Sequence, residues 1–203
     1  MVKETSRDSR IGSAVLFDFR NIRDNTSIEG KTVRQLESFN EQGNSDNGWI
    51  ETSRSIKSVP SNKGDGYVDL IPNKHGFNHI AFFKSSNSSD PQFLTSGEWE
   101  IESILGVNKE LQRIYFLAAY PSSIERNILS VKLPQNDLIN VQEKDNPKVI
   151  TDTTELSKFD ASFSPASNYY LLNYDGPNVP TQVIKKINDE CKFKGFISFF
   201  EIF

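Results

Sequence analysis

Few side chains in this 203-residue chain have types suited to chemistry, and their spacing restricts them further. The two histidines are His75 and His79. On an extended backbone they share a face yet stand roughly 13 Å apart, too far to hold one metal ion. A turn histidine at 75 and a hydrogen-bonded strand histidine at 79 are the expected roles. A serine triad needs its nucleophile on a strained, exposed turn with a histidine in reach. No Gly-x-Ser-x-Gly elbow occurs anywhere in these residues. One cysteine, Cys191, leaves no internal disulfide and no multi-cysteine zinc site. No catalytic residue, metal-ligand set or cofactor is therefore assigned.

The remaining polar and aromatic residues read as structural. Glu98, Glu100 and Glu102 alternate along one strand face, which makes them rim or solvent carboxylates rather than a general acid–base pair. Glu125 and Arg126 sit at a turn entering a strand, where a local ion pair worth ~0–1 kcal/mol is expected. Trp49 and Trp99 open corresponding repeats, so both are expected to pack between sheets. The 15 phenylalanines serve as filler in the same way. Asn25-Thr26-Ser27 and Asn87-Ser88-Ser89 are N-x-S/T sequons, which makes Asn25 and Asn87 glycosylation sites on any chain entering the secretory pathway.

Charge excludes one class of partner. With 23 basic and 27 acidic residues and a net charge of −4, the chain has no dense cationic stretch to neutralise phosphates, so no nucleic acid is expected. The start, MVKETSRDSRIG, lacks the apolar core of a secretory signal. No apolar run reaches the ~18 residues of a membrane-spanning helix.

The elements that must position these residues are strands. Ala14–Phe19, Tyr67–Ile71, Phe77–Phe83, Gln92–Thr95 and Trp99–Leu105 are short runs of β-forming residues bounded by turn residues. Arg113–Ala119, Arg126–Leu133, Val149–Thr151, Phe159–Phe163 and Tyr169–Tyr174 continue the series. Several alternate with period 2; in Arg126–Leu133, Ile128 and Ser130 fall on one face and Leu129, Val131 and Leu133 on the other. Helical periodicity of useful length is absent. The chain is all-β.

Four strands with turns between them occupy Glu98–Thr151, a similar unit precedes from about Gly48 to Thr95, and another starts at Lys158. A period of ~50–60 residues holding four strands fits one propeller blade. A β-sandwich also spaces short strands regularly, and the pattern alone leaves propeller and sandwich open. As a propeller, the chain holds roughly two full four-stranded blades with partial blades at the ends.

An ordered set of segments resembles the later propeller blades of fungal dipeptidyl peptidase IV. The segments are Gly48-Trp49-Ile50-Glu51, Asp65-Gly66-Tyr67-Val68-Asp69, Gly76-Phe77-Asn78-His79-Ile80-Ala81 and Leu94-Thr95-Ser96-Gly97-Glu98-Trp99-Glu100-Ile101. Arg113-Ile114-Tyr115-Phe116, Ser122-Ser123-Ile124-Glu125-Arg126 and Tyr174-Asp175-Gly176-Pro177-Asn178-Val179-Pro180 follow. The resemblance implies a partial β-propeller domain over 1–186 and sets 187–203 apart as an unmatched Phe-rich tail.

Members of that family are serine exopeptidases that release Xaa-Pro or Xaa-Ala dipeptides from peptide N-termini. Their active site lies between the propeller and an α/β-hydrolase domain. They reside in vacuolar or Golgi membranes or are secreted. The resemblance therefore implies peptides as partners and a role as a propeller fragment, itself inactive without the hydrolase domain. The alternatives are a noncatalytic β-rich interaction module or a truncated gene product. Arg54 matches an arginine that, in animal relatives, faces the substrate cavity beyond the scissile bond; its neighbour there is aromatic, whereas Ser53 stands here. Open blade edges imply self-association of the isolated chain.

Overall fold

The structure is a computed structural model that describes residues 1–19, 27–39, 45–46, 48–50, 56–61, 64–134, 147–187 and 197–198. Its first sheet holds β1 (Val2–Thr5), β2 (Gly12–Leu16) and β3 (Lys31–Leu36) in that order, and a small hairpin pairs β4 (Ser38–Phe39) with β5 (Ser45–Asp46). Three four-stranded sheets follow. They are β6 (Lys57–Val59) to β9 (Gln92–Phe93) through β7 (Gly66–Pro72) and β8 (Asn78–Phe83); β10 (Ile101–Asn108) to β13 (Lys148–Val149) through β11 (Arg113–Ala118) and β12 (Asn127–Lys132); and β14 (Lys158–Phe163) to β17 (Ile197–Ser198) through β15 (Tyr169–Gly176) and β16 (Thr181–Lys186). In each, strands lie side by side in chain order, and every pairing is antiparallel.

Burial separates propeller from sandwich. A sandwich has one buried seam between two sheets, whereas blades stack so that an inner sheet is covered on both faces. Ile114, Phe116, Leu129 and Val131 of the β10–β13 sheet pack with Val68, Leu70, Ile80 and Phe82 of the preceding sheet. The alternate residues Tyr115 and Ile128 pack with Ala161, Tyr170 and Leu172 of the following one. On the other side of β7 and β8, Tyr67, Ala81 and Phe83 form a third seam. The period-2 alternation in Arg126–Leu133 thus assigns each face to a different neighbour. These successive seams are the stacking of a partial β-propeller.

Close approach between sheets needs a missing side chain at one point. A Cβ on Gly106 would lie 2.4 Å from Ser167 Oγ and 3.1 Å from Phe163. The third meander is completed by Ile197–Ser198, which pairs with Val183 and Ile184; this strand lies within the Phe-rich tail that the sequence sets apart.

Candidate functional site

A cleft of about 1190 Å³ opens between the first sheet and the β6–β9 sheet. One wall is Arg34–Ser38, the end of β3 and its continuation. The opposite wall is the end of β7, the turn that follows it and the first residue of β8. That turn is tied by the Asn73 side chain, which accepts the His75 and Phe77 amides at 2.8 and 3.1 Å. Phe93 and Thr95–Glu98 close the cleft, and Trp49 lines it while remaining 75% exposed.

Beside the cleft, one carboxylate joins three strands of two sheets. Asp69 on β7 is fully buried. Its Oδ1 lies 2.6 Å from Lys3 Nζ of β1, and its Oδ2 accepts from Arg34 Nη2 of β3. Asp69 Oδ1 also accepts the Leu70 amide at 2.9 Å. A lone carboxylate at this depth is strongly disfavoured, and removing one partner of a buried pair typically costs ~3–5 kcal/mol. The Arg34 guanidinium stands 4.9 Å from the Phe83 ring centroid, and Phe83 stacks on Tyr67 at 4.4 Å. Burial pushes the Tyr67 phenol above its ordinary pKa, with Arg34 opposing the shift. The Arg34 side chain is only 9% exposed, and its Nε has no hydrogen-bond partner.

The histidines divide as the sequence implies. His75 is exposed in the turn; His79 is fully buried. The Gly97 carbonyl can only accept, so Nε2–H of the neutral His79 ring donates to it at 3.0 Å and Nδ1 accepts from the Thr95 hydroxyl at 3.1 Å, while Thr95 Oγ1 accepts the Ile80 amide. The ring meets Trp99 edge-on at 4.9 Å. Burial lowers the His79 pKa, partly offset by the Gly97 carbonyl and by Glu100. Gly97 has φ +128°, and a Cβ there would lie 2.4 Å from the Trp99 indole nitrogen. No cluster of three or more metal-ligating side chains exists among the described residues.

Three structural expectations need correction. Trp99 packs in the core against His79, Phe116 and Tyr120, but Trp49 does not: in its segment it is Ile50 that turns inward, at 7% exposure. Arg126 pairs with Glu102 of β10, not with Glu125, because consecutive residues of an extended chain point apart. Glu100 faces the preceding sheet rather than solvent and accepts both the Asn78 amide and Asn78 Nδ2. Asn87 stands exposed in the turn between β8 and β9. Arg54 and Asn25 lie outside the described residues. Sequence reasoning misses the Asp69 cluster because Lys3, Arg34 and Asp69 are scattered along the chain; the only local signal is a charged residue at the centre of the apolar run Tyr67–Ile71.

Stacked four-stranded meanders with a cleft between two sheets define this chain as a β-propeller segment. The family model described as "Dipeptidyl peptidase IV (DPP IV) N-terminal region" matches residues 1–181. The chain belongs to this family. Among curated relatives it is 35% identical over 190 residues to the probable dipeptidyl-aminopeptidase B of Botryotinia fuckeliana. It is 36% identical over the same length to the protein of that description from Chaetomium globosum. Both alignments cover 91% of this chain and 18% of the relative, so the chain spans less than a fifth of their length. Among solved structures it is similar to Porphyromonas gingivalis dipeptidyl peptidase 4, with a TM-score of 0.59 and 15% identity over 96% of this chain and 23% of that one. No helix among the described residues is long and apolar enough to cross a membrane.

Proposed function

We propose that these residues supply propeller blades to a dipeptidyl peptidase IV-like serine exopeptidase, walling its cavity and positioning peptides. The observation that carries this is the coincidence of the family match over 1–181 with a succession of blade-type sheets over the same residues. Arg54 would contact peptide beyond the cleaved bond, and Asn87 would carry a glycan on a chain routed through the secretory pathway.

The 203 residues alone are inactive in this reading, since they contain no Gly-x-Ser-x-Gly elbow and a covalent serine mechanism needs that nucleophile with its oxyanion donors. Two assays test it. The purified chain should leave Gly-Pro and Ala-Pro chromogenic substrates intact; turnover blocked by a serine-directed inhibitor contradicts inactivity. A fungal dipeptidyl-aminopeptidase B whose matching segment is replaced by this one should keep dipeptide release. A chimera that folds yet releases nothing contradicts the propeller role.

A further inference from the structure

The chain between β9 and β10 runs along the cleft as a strap with both ends tied. At one end the Leu94 amide donates to the Ile80 carbonyl at 2.8 Å; at the other, Glu100 accepts from the Asn78 amide and Nδ2. Between these ties, Thr95–Glu98 lines the cleft. The middle of the strap is held by the Gly97 carbonyl, which accepts from His79 Nε2 at 3.0 Å and from Asn73 Nδ2 at 3.1 Å. His79 Nδ1 accepts from the Thr95 hydroxyl, and both of these residues are fully buried. One neutral imidazole thus makes two of the contacts that keep the strap down.

A proton on the ring changes one of them. In the imidazolium both nitrogens are donors, so Nδ1 no longer accepts from Thr95. Thr95 Oγ1 already accepts the Ile80 amide, and its own proton loses its acceptor at a buried position, which is costly. The cation is also cut off from water. Charged neighbours offset this only in part. Glu100, at the end of the strap, favours the proton. On the ring's own face of β7 and β8, Asp69 is balanced by Lys3 and Arg34, and Ile71 stands opposite the ring. Trp99 meets the ring with Phe116 and Tyr120 behind it, and none of the three is charged in acid. Glu98 on the strap and Lys74 and His75 in the turn also line the cleft, but at exposed positions where solvent screens them.

We propose that Thr95–Glu98 is an acid-released strap: neutral His79 holds it in place, and protonation of the ring lets it lift, admitting water to the imidazolium and widening the cleft on that side. The ties at Leu94 and Glu100 stay closed, so the movement is confined to the strap. The device goes beyond the peptide-handling role proposed above and does not depend on it.

Hydrogen exchange on the full 203-residue chain tests this, with the Ile80 amide as reporter, because its acceptor belongs to the strap. The amides of Phe116 and Leu129, in the inner strands β11 and β12, report global unfolding. After correction for the pH dependence of chemical exchange, the Ile80 opening constant is expected to exceed those of Phe116 and Leu129. It should also be insensitive to low urea, because lifting the strap exposes little surface. Below about pH 6.5 it should rise by about tenfold per pH unit until the folded pKa of His79 is reached, since opening takes up one proton. His79→Gln, which cannot charge, should remove that rise while Phe116 and Leu129 stay protected. A corrected Ile80 opening constant that does not change between about pH 7.5 and 5 overturns the acid release. An Ile80 amide with the same opening free energy and urea dependence as Phe116 overturns the strap itself, since it then opens only when the whole chain unfolds. Both results are read on the unmodified chain and hold even where His79→Gln fails to fold.

Discussion

Glu100, just ahead of β10, accepts two hydrogen bonds from Asn78, the first residue of β8: one from the main-chain amide at 2.8 Å and one from Nδ2 at 2.6 Å. One carboxylate thereby fastens the start of one blade to an inner strand of the blade before it. Charge-assisted bonds of this kind contribute about 1.5–3 kcal/mol. Glu100→Ala leaves the part-buried Asn78 amide without its acceptor and should lower unfolding free energy by about 2 kcal/mol in urea titration, with m unchanged. Glu100→Gln keeps one acceptor oxygen and should lose about half as much. A change below about 0.5 kcal/mol for the alanine variant would show that water replaces the carboxylate at no cost.

What is legible in the chain follows from which physical signal each element carries. Runs such as Phe77–Phe83 and Arg113–Ala119 are apolar on both faces because both faces are buried, and they stand out in the sequence. Strands at the margins do not. Lys31–Leu36 and Thr181–Lys186 are mostly polar and none of their residues is fully buried, so they lack a hydrophobic pattern, and Lys57–Val59 is too short to show any period. Spacing points to blades, but the choice between propeller and sandwich needs the two-sided burial of β11 and β12. The candidate cleft is illegible because its charged cluster joins Lys3, Arg34 and Asp69, and no local rule links residues so far apart.

Acid should loosen the fold through His79. Burial sets its folded pKa below the ordinary value, so the unfolded chain binds the proton more readily. Stability from neutral His79 is therefore complete above the unfolded pKa of about 6.5 and is lost as pH falls from there through the folded pKa. Melting temperature measured from pH 7.5 to 5 should fall, and His79→Gln, which cannot charge, should flatten that slope while lowering the plateau. A His79→Gln chain that keeps the full slope would assign the acid sensitivity to carboxylates instead.

The isolated chain should associate with itself through the last sheet. Tyr170 and Leu172 face the preceding sheet, so the alternate residues of β15 point away from it. On that side Tyr169 and Ile184 are 48% and 42% exposed, and Ile184 is paired with Leu171. An apolar sheet face of this kind favours a partner surface, and another blade would cover it in a larger propeller. Sedimentation of the 203-residue chain should show concentration-dependent oligomers. Ile184→Lys puts a charge on the face and should weaken association about tenfold or more. A monodisperse monomer with one sharp melting transition contradicts this expectation.

Arg54 tests whether the peptide-positioning role reaches a single residue. The resemblance aligns Arg54 with an arginine of related propellers that faces the substrate cavity beyond the scissile bond. A guanidinium there would hold a peptide carbonyl or carboxylate with forked donors. In the chimeric dipeptidyl-aminopeptidase B, Arg54→Ala should leave dipeptide chromogenic substrates nearly unchanged, since these end at the cleaved bond. For peptides extending several residues further, loss of about 1.5–3 kcal/mol lowers kcat/KM roughly tenfold or more. The ratio of the two losses is the decisive quantity, because a folding defect lowers both substrates alike. Equal losses therefore assign Arg54 to structure, and no loss for either substrate assigns it to a solvated loop with no part in positioning peptides.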